Sequence, residues 1–194
     1  VVDVDYFAVQ NCFELGYPEM INQTVALIDM GARFSGINIC RGGQSLFTGD
    51  IAVGGRAFSE AIAEAAGVDL DEAERLKRNG ADAAAKAGDG LRRKVESVAA
   101  EFNRQLSLFW NASGAEEGID RILLCGGGAR VGGLTEALHA KTGVVCEIID
   151  PLKGIDCGSG FDPAYLAEIG PQAAVCVGLG LRQSGDKSFP EYDY

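Results

Sequence analysis

Asp29-Met30-Gly31-Ala32-Arg33-Phe34-Ser35 lies between two apolar runs, and Gly126-Gly127-Gly128-Ala129 follows a third. The first turn carries an acid and a small hydroxyl residue between two predicted strands. The second is a glycine turn between a predicted strand and a predicted helix. Turns of this kind present backbone N–H groups, which hold phosphate oxygens by hydrogen bonding and local positive potential. Either turn alone is weak evidence, because glycine motifs also occur by chance. Together, in this order, they predict a nucleotide cleft built from one α/β domain.

Each residue has a chemical and a plainer reading. Asp29 ends a buried run, where a carboxylate can orient the water shell of a phosphate-bound magnesium ion. It can equally form a turn by bonding its own backbone. Ser35 either donates to a phosphate oxygen or faces its neighbour strand. Gly54-Gly55 allows close approach to a ligand or makes a strand-to-helix turn. Three successive glycines at 126–128 cost chain entropy that a simple turn does not require, which favours function there. Glu74 and Lys77 are three residues apart and share a helix face. They either grip ribose hydroxyls or form a solvated ion pair, and spacing alone favours the pair. His139 is the single histidine, so no Ser/His/Asp or Cys/His arrangement is available.

The elements that must position these residues follow from the hydrophobic pattern. Residues 1–4 read as a short strand and 6–15 as a helix. Residues 25–29 are a continuous apolar run ending in an acid. Residues 34–40 alternate, with Phe34, Gly36, Asn38 and Cys40 on one face and Ile37 and Ile39 on the other. A third strand over 44–47 joins through the Arg41-Gly42-Gly43 turn. Helices follow, with Phe58, Ile62, Ala65 and Ala66 on one face. Asp69 and Glu72 fit a capping pattern. Leu91, Val95, Val98, Phe102, Leu106 and Phe109 trace a packing stripe on a long helix. Then come a strand at 119–125, a helix at 134–142, a strand at 144–149, a glycine-containing loop at 150–163, and two short helices at 163–169 and 171–182. The order β-β-β, helices, β, helix, β, helix predicts a mixed sheet with hairpins early and crossovers late. The helical block 57–117 reads as a subdomain inserted into a module made of 1–56 and 118–183, and 184–194 reads as a loose tail.

Composition narrows the partners. The net charge of −11, from 17 Lys+Arg against 28 Asp+Glu, argues against nucleic acid and anionic membrane surfaces. No apolar run approaches the roughly 18 residues of a spanning helix, and no basic-plus-apolar leader is present. The chain opens in mid-strand at Val1 and reads as a fragment of something longer. Six cysteines (12, 40, 125, 146, 157 and 176) form no CxxC pair, so a zinc site is not expected. Cys40, Cys125, Cys146 and Cys176 lie within apolar runs and read as reduced thiols serving as small hydrophobes, which implies a reducing, cytoplasmic compartment.

Taken in order, the motifs resemble the second half of an actin-like ATPase, the superfamily of actin, MreB, FtsA, the 70-kDa heat-shock chaperones and sugar kinases. Within it the chain is most similar to the PilM family of type IV pilus assembly, from Val1 to about Arg182. The resemblance rests on Val-Val-Asp-Val-Asp5-Tyr, Val-Ala-Leu-Ile-Asp29-Met-Gly31-Ala, Phe47-Thr-Gly-Asp-Ile51 with Gly54-Gly55, Glu72-Ala-Glu74-Arg-Leu-Lys77, Leu123-Leu-Cys-Gly-Gly-Gly-Ala129, Gly133-Leu134 and Val177-Gly-Leu-Gly-Leu-Arg182.

The resemblance implies a ribonuclease H-like nucleotide-binding fold that takes ATP and magnesium (Mg2+). Asp29 to Ser35, including Gly31, Ala32 and Arg33, would be the second phosphate loop. Gly55 would approach the phosphates, Glu74 and Lys77 the ribose and base edge, and Gly126, Gly127 and Gly128 the adenosine. Asp3 and Asp5 would fall in the connecting strand, which in relatives places a water-positioning residue near the γ-phosphate, so Asp5 and Asp29 are the catalytic candidates. The implied role is a cytoplasmic scaffold at the inner-membrane pilus platform. It would meet a PilN-like membrane protein through a subdomain not contained in this chain, together with other pilus assembly proteins.

Ala32, Arg33 and Phe34 stand where hydrolysing relatives carry further Gly, Thr or acidic residues. Arg33 there either pairs with a phosphate or crowds one. Gly49 stands where many PilM-like sequences carry Arg. The first phosphate loop should precede Val1. Hydrolysis is therefore expected to be slow or absent, and binding by this half alone weak. The alternatives are an actin-superfamily phosphotransferase and an interaction module that no longer binds nucleotide.

Overall fold

The structure is a computed structural model that describes residues 3–113 and 118–183. The expected tail at 184–194, Val1 and Val2 of the expected first strand, and the side chain of Phe109 lie outside the described residues. Asp3 and Val4 are in no strand, and Asp5 opens a helix. That helix, α1 (Asp5–Gly16), buries Ala8, Val9, Cys12 and Phe13 at helical spacing, and this periodicity outweighs the strand signal of the preceding valines. Asp5 is thus a first-turn helical residue, not a strand residue.

The hairpin pattern gives β1 (Val25–Met30), β2 (Ser35–Arg41) and β3 (Gln44–Ile51). The helices α2 (Arg56–Ala66), α3 (Leu70–Arg78) and α4 (Gly80–Ser113) come next. Then follow β4 (Arg121–Cys125), α5 (Leu134–Thr142), β5 (Val145–Ile148) and α6 (Pro163–Gly180). Asp69 caps α3 by accepting from the Glu72 N–H at 2.8 Å. The sheet order is β3-β2-β1-β4-β5. The β1–β2 and β2–β3 pairs are antiparallel, whereas β1–β4 and β4–β5 are parallel. The expected mixed sheet is therefore present.

β1 is covered on both faces, which explains its unbroken apolar run. Ala26, Ile28 and Met30 join Ile37, Ile39, Ile122 and Leu124 under Phe58, Val98, Phe102 and Leu138. Val25 and Leu27 face the other way with Leu123 and Cys125, against Val9, Phe13 and Ala174. Asp29 falls on this second face by alternation. A smaller core of Ile62, Ala73, Leu76, Ala83 and Ala87 joins α2, α3 and the start of α4.

The last helix differs from expectation. The sequence suggests a break at Pro171, yet α6 runs through it for 18 residues. A proline inside a helix removes one N–H from the ladder and crowds the carbonyl four residues before it. Here that carbonyl belongs to Ala167, which is exposed, while Pro171 itself is buried and its own carbonyl ties the helix to the glycine turn by accepting the Gly126 N–H at 2.6 Å. Further along, α6 lies against α1 so closely that a Cβ at Gly178 would overlap the Ala8 carbonyl. Arg182 then reaches Asp3 at 3.4 Å, with side chains only 10% and 7% exposed. The first and last motifs of the resemblance are thus one packing unit.

Gly178→Ala is expected to cost at least about 1–3 kcal/mol, the usual range for overpacking, because backbone rather than a flexible side chain stands in the way. Gly180→Ala, where an added methyl meets nothing within 4 Å, should stay within about 0.5 kcal/mol. Urea unfolding of both variants checks the contrast.

Candidate functional site

β1 and β4 run parallel with Asp29 opposite Cys125, so the turns leaving both strands open on the same side of the sheet. After β1, Gly31 donates its N–H to the Phe34 carbonyl at 3.1 Å and closes the hairpin loop. After β3 the chain presses Gly54 onto this loop, where a Cβ would lie 2.6 Å from the Ala32–Arg33 peptide. The Gly55 and Arg56 N–H groups at the start of α2 donate to the Gly31 and Ala32 carbonyls at 2.9 and 2.8 Å. The hairpin loop is therefore fastened to a helix start.

The glycine turn has two kinds of glycine. Gly126 has φ +82°, and a Cβ there would lie 2.5 Å from the Met30 carbonyl oxygen; at Gly128 it would lie 2.5 Å from Met30 Cγ. Both are demanded by packing on β1. Gly127 is not: its nearest neighbour would be Gln172 at 3.6 Å, an ordinary contact. The entropy argument for function therefore applies to Gly127 alone.

A cleft of about 970 Å³ opens between these turns, lined by Gly31, Ala32, Arg33, Gly55, Glu74, Lys77, Gly127 and Gly128 among others. Sites for nucleotide-sized ligands span roughly 300–1,000 Å³. Its wall carries Arg33, Arg56, Lys77, Arg78 and Arg130 against Asp71, Glu74 and Glu168, so it is locally basic in a chain of net charge −11. That balance suits an anion.

The remaining sequence-predicted residues lie off the cleft wall. The Ser35 hydroxyl is buried and donates to the Val53 carbonyl at 2.6 Å. Gly126 is engaged with Pro171. Asp29 lies beneath the glycine turn and is half-buried. Burial pushes its carboxyl up; a hydrogen bond from the Cys125 thiol opposes this and the Asp5 carboxylate adds to it, leaving it above the usual range. Asp5 is thus its electrostatic neighbour. Among the described residues, no group of three His, Cys, Asp or Glu side chains is placed to hold a metal ion.

Lys77 and Glu74 form the ion pair that their spacing favours, at 2.6 Å, and they also line the cleft. Burial pushes the Glu74 carboxyl up, but hydrogen bonds from Lys77 and Ser59 outweigh it and hold the carboxyl below its ordinary value. Sequence reasoning missed Ser59, Arg56, Arg78, Arg130, Glu168 and Gln172. Arg78 and Arg130 each follow a recognised motif within two residues, a usable signal. Glu168 and Gln172 are four apart on α6 and carry no local signal, because only packing brings them to the glycine turn; there Arg130 also donates to the Glu168 carbonyl.

A family model described as type IV pilus assembly protein PilM matches residues 1–184. The chain superposes on a solved PilM-PilN type IV pilus biogenesis complex with a TM-score of 0.80 and 28% identity, covering 93% of this chain and 52% of that one. It superposes on ethanolamine utilization protein EutJ from Carboxydothermus hydrogenoformans with a TM-score of 0.66 and 18% identity, over 91% and 53% of the two chains. For MreB5 of Spiroplasma citri bound to ADP the values are 0.64 and 12%, over 93% and 58%. These last two show the fold alone, which is actin-like. The chain spans about half the length of these three structures.

The Asp29 geometry has a consequence for stability without ligand. A carboxyl whose folded-state pKa is raised opposes folding once it ionises. The opposition is absent below the ordinary carboxylate range near 4 and complete above the raised folded-state value. Asp29→Asn should therefore stabilise the nucleotide-free protein, with a Tm gain that grows from pH 4 to pH 7. A gain independent of pH, or a loss at neutral pH, contradicts this assignment.

Proposed function

The chain belongs to the type IV pilus assembly protein PilM family, and from that premise we propose that it binds ATP with magnesium in the cleft between its two turns and serves as a nucleotide-responsive scaffold of pilus assembly. The observation that carries the reading is the parallel β1–β4 register, which sets the hairpin loop and the glycine turn side by side over a basic cleft. The ADP held by MreB5, a protein of the same fold, supports it.

In this reading the Gly31–Arg33 loop and Gly55 receive the phosphates, with Arg33 pairing with one of them. Glu74 faces the ribose, and Gly127 and Gly128 lie against the adenosine. The donor set fits magnesium in its usual form, which keeps most of its waters and takes one or two carboxylates plus phosphate oxygens. Asp29 would orient that water shell, with Asp5 beside it. The bound ion neutralises phosphate charge. A cation held there would favour the anionic form of Asp29 and so oppose the burial that raises its pKa. Hydrolysis is slow or absent, because donors on one side of the phosphates leave transition-state charge incompletely stabilised.

The partner proposed is a PilN-like inner-membrane protein together with other pilus assembly proteins, with this chain at the cytoplasmic face. The solved relative is a complex of PilM with PilN. No helix among the described residues is long and apolar enough to cross a membrane.

Fluorescent ATP titrated in magnesium buffer should saturate on the protein and weaken at least about tenfold, or roughly 1.4 kcal/mol, in Gly127→Val. Circular dichroism of that variant should not change, since the position accepts a side chain. Equal binding by both proteins contradicts the site. Steady turnover near or above roughly 1 per second, the low end of ordinary enzymes, contradicts the scaffold reading.

A further inference from the structure

Hydrogen-bond arithmetic at α3 assigns Lys77 a different role from the one the resemblance implies. An ammonium group has three N–H donors and no acceptor. Lys77 Nζ has three acceptors inside the chain: Glu74 Oε2 at 2.6 Å, Ser59 Oγ at 3.0 Å and the Gly55 carbonyl at 3.1 Å. The Ser59 hydroxyl donates to the same Glu74 oxygen at 2.6 Å, leaving its lone pairs for Lys77. The set closes with every proton matched to an oxygen. The Lys77 side chain is 10% exposed, whereas that of Glu74 is 41% exposed.

The bonds continue past Gly55. Its N–H donates to the Gly31 carbonyl at 2.9 Å, and the next N–H, from Arg56, donates to Ala32 at 2.8 Å. A Cβ at Gly55 would stand 3.3 Å from both Lys77 Nζ and Gly128 Cα, so the lysine sits where hairpin loop, glycine turn and α3 converge. We propose that Lys77 is a positioning residue: a clamp that fastens α3 to the hairpin loop through Gly55, and not a contact to the ribose. Its consequence for ligand binding rests on the nucleotide reading of the cleft; the clamp itself does not. Removing Lys77 would free Gly55 and the loop it holds, so the loss would fall on the phosphates.

The test uses the purified protein with Lys77→Met and, as a milder variant that retains the lysine, Ser59→Ala. Tm is measured without nucleotide. Kd is measured for ATP, 2′-deoxy-ATP, 3′-deoxy-ATP and adenosine. Without nucleotide, Lys77→Met should lower Tm by on the order of 5 °C and Ser59→Ala by less. A lysine held for the ligand alone, among the other cations of the cleft, would leave Tm unchanged or raise it when removed, and either result overturns the clamp. ATP affinity should fall at least about tenfold in Lys77→Met, a loss of roughly 1.4 kcal/mol, by the same factor for both deoxy analogues, while adenosine changes less than about twofold. A merely structural defect would weaken ATP and adenosine alike. A loss that disappears with either deoxy ligand would mean direct ribose contact, and either of these patterns overturns the positioning role. If the unaltered protein binds no nucleotide while Lys77→Met still lowers Tm, the nucleotide reading fails and takes the phosphate consequence with it, and the clamp stands.

Discussion

The parallel pairing of β1 with β4 is the constraint on which the rest depends. With Asp29 opposite Cys125, two strands distant in sequence end at one level and release their turns on one side of the sheet. β1 is also the strand at which direction changes, antiparallel to β2 and parallel to β4. In open α/β sheets, crevices for ligands form beyond the carboxyl ends of the parallel strands, here β1 and β4. The register dictates residue types as well. Gly126 and Gly128 are glycines because Met30 and the Asp29 carboxylate occupy the space a side chain would need. Gly54 is one because the hairpin loop does so.

α6 makes the cleft part of the whole molecule. Pro171 takes the Gly126 N–H, Gln172 lies by Gly127, and the Glu168 carbonyl takes a bond from Arg130. The same helix continues to Gly178 on α1 and is followed by Arg182 at Asp3. Asp5, one turn before Ala8 on α1, adds to the field at Asp29. A shift of the glycine turn therefore has a packed route to α1 and back to the carboxylate under the cleft.

Much of the fold is legible because local and tertiary demands agree. β1 reads as buried because both its faces are covered. The alternation from Gly36 to Cys40 reads as a strand because α1 covers one face and the α2–α4 layer the other. Asp69 announces α3 with a cap that forms. The failures share a cause, a tertiary contact overriding a local signal. Pro171 does not break α6: it is buried against the fold, and its carbonyl is tied to the Gly126 N–H. Asp5, expected in a strand, is helical because α1 buries Ala8, Val9, Cys12 and Phe13 at helical spacing. Ser35 has the chemistry for a phosphate, yet β2 turns its hydroxyl to Val53. At the cleft, Glu74 and Lys77 are visible as a helix pair, but their bonds to Ser59 and Gly55 depend on how α2 docks on α3. Glu168 and Gln172 have no sequence signal, because their place exists only once α6 is packed.

Mapping backbone amide shifts by 15N NMR while titrating ATP and magnesium reports where a ligand lies rather than only whether one binds. If nucleotide lies between the two turns, the largest changes fall on the amides of Gly31, Ala32, Arg33, Gly55, Gly127 and Gly128, saturating together with a single Kd. Saturable changes confined to another part of the surface, with those six amides unmoved, would contradict that placement.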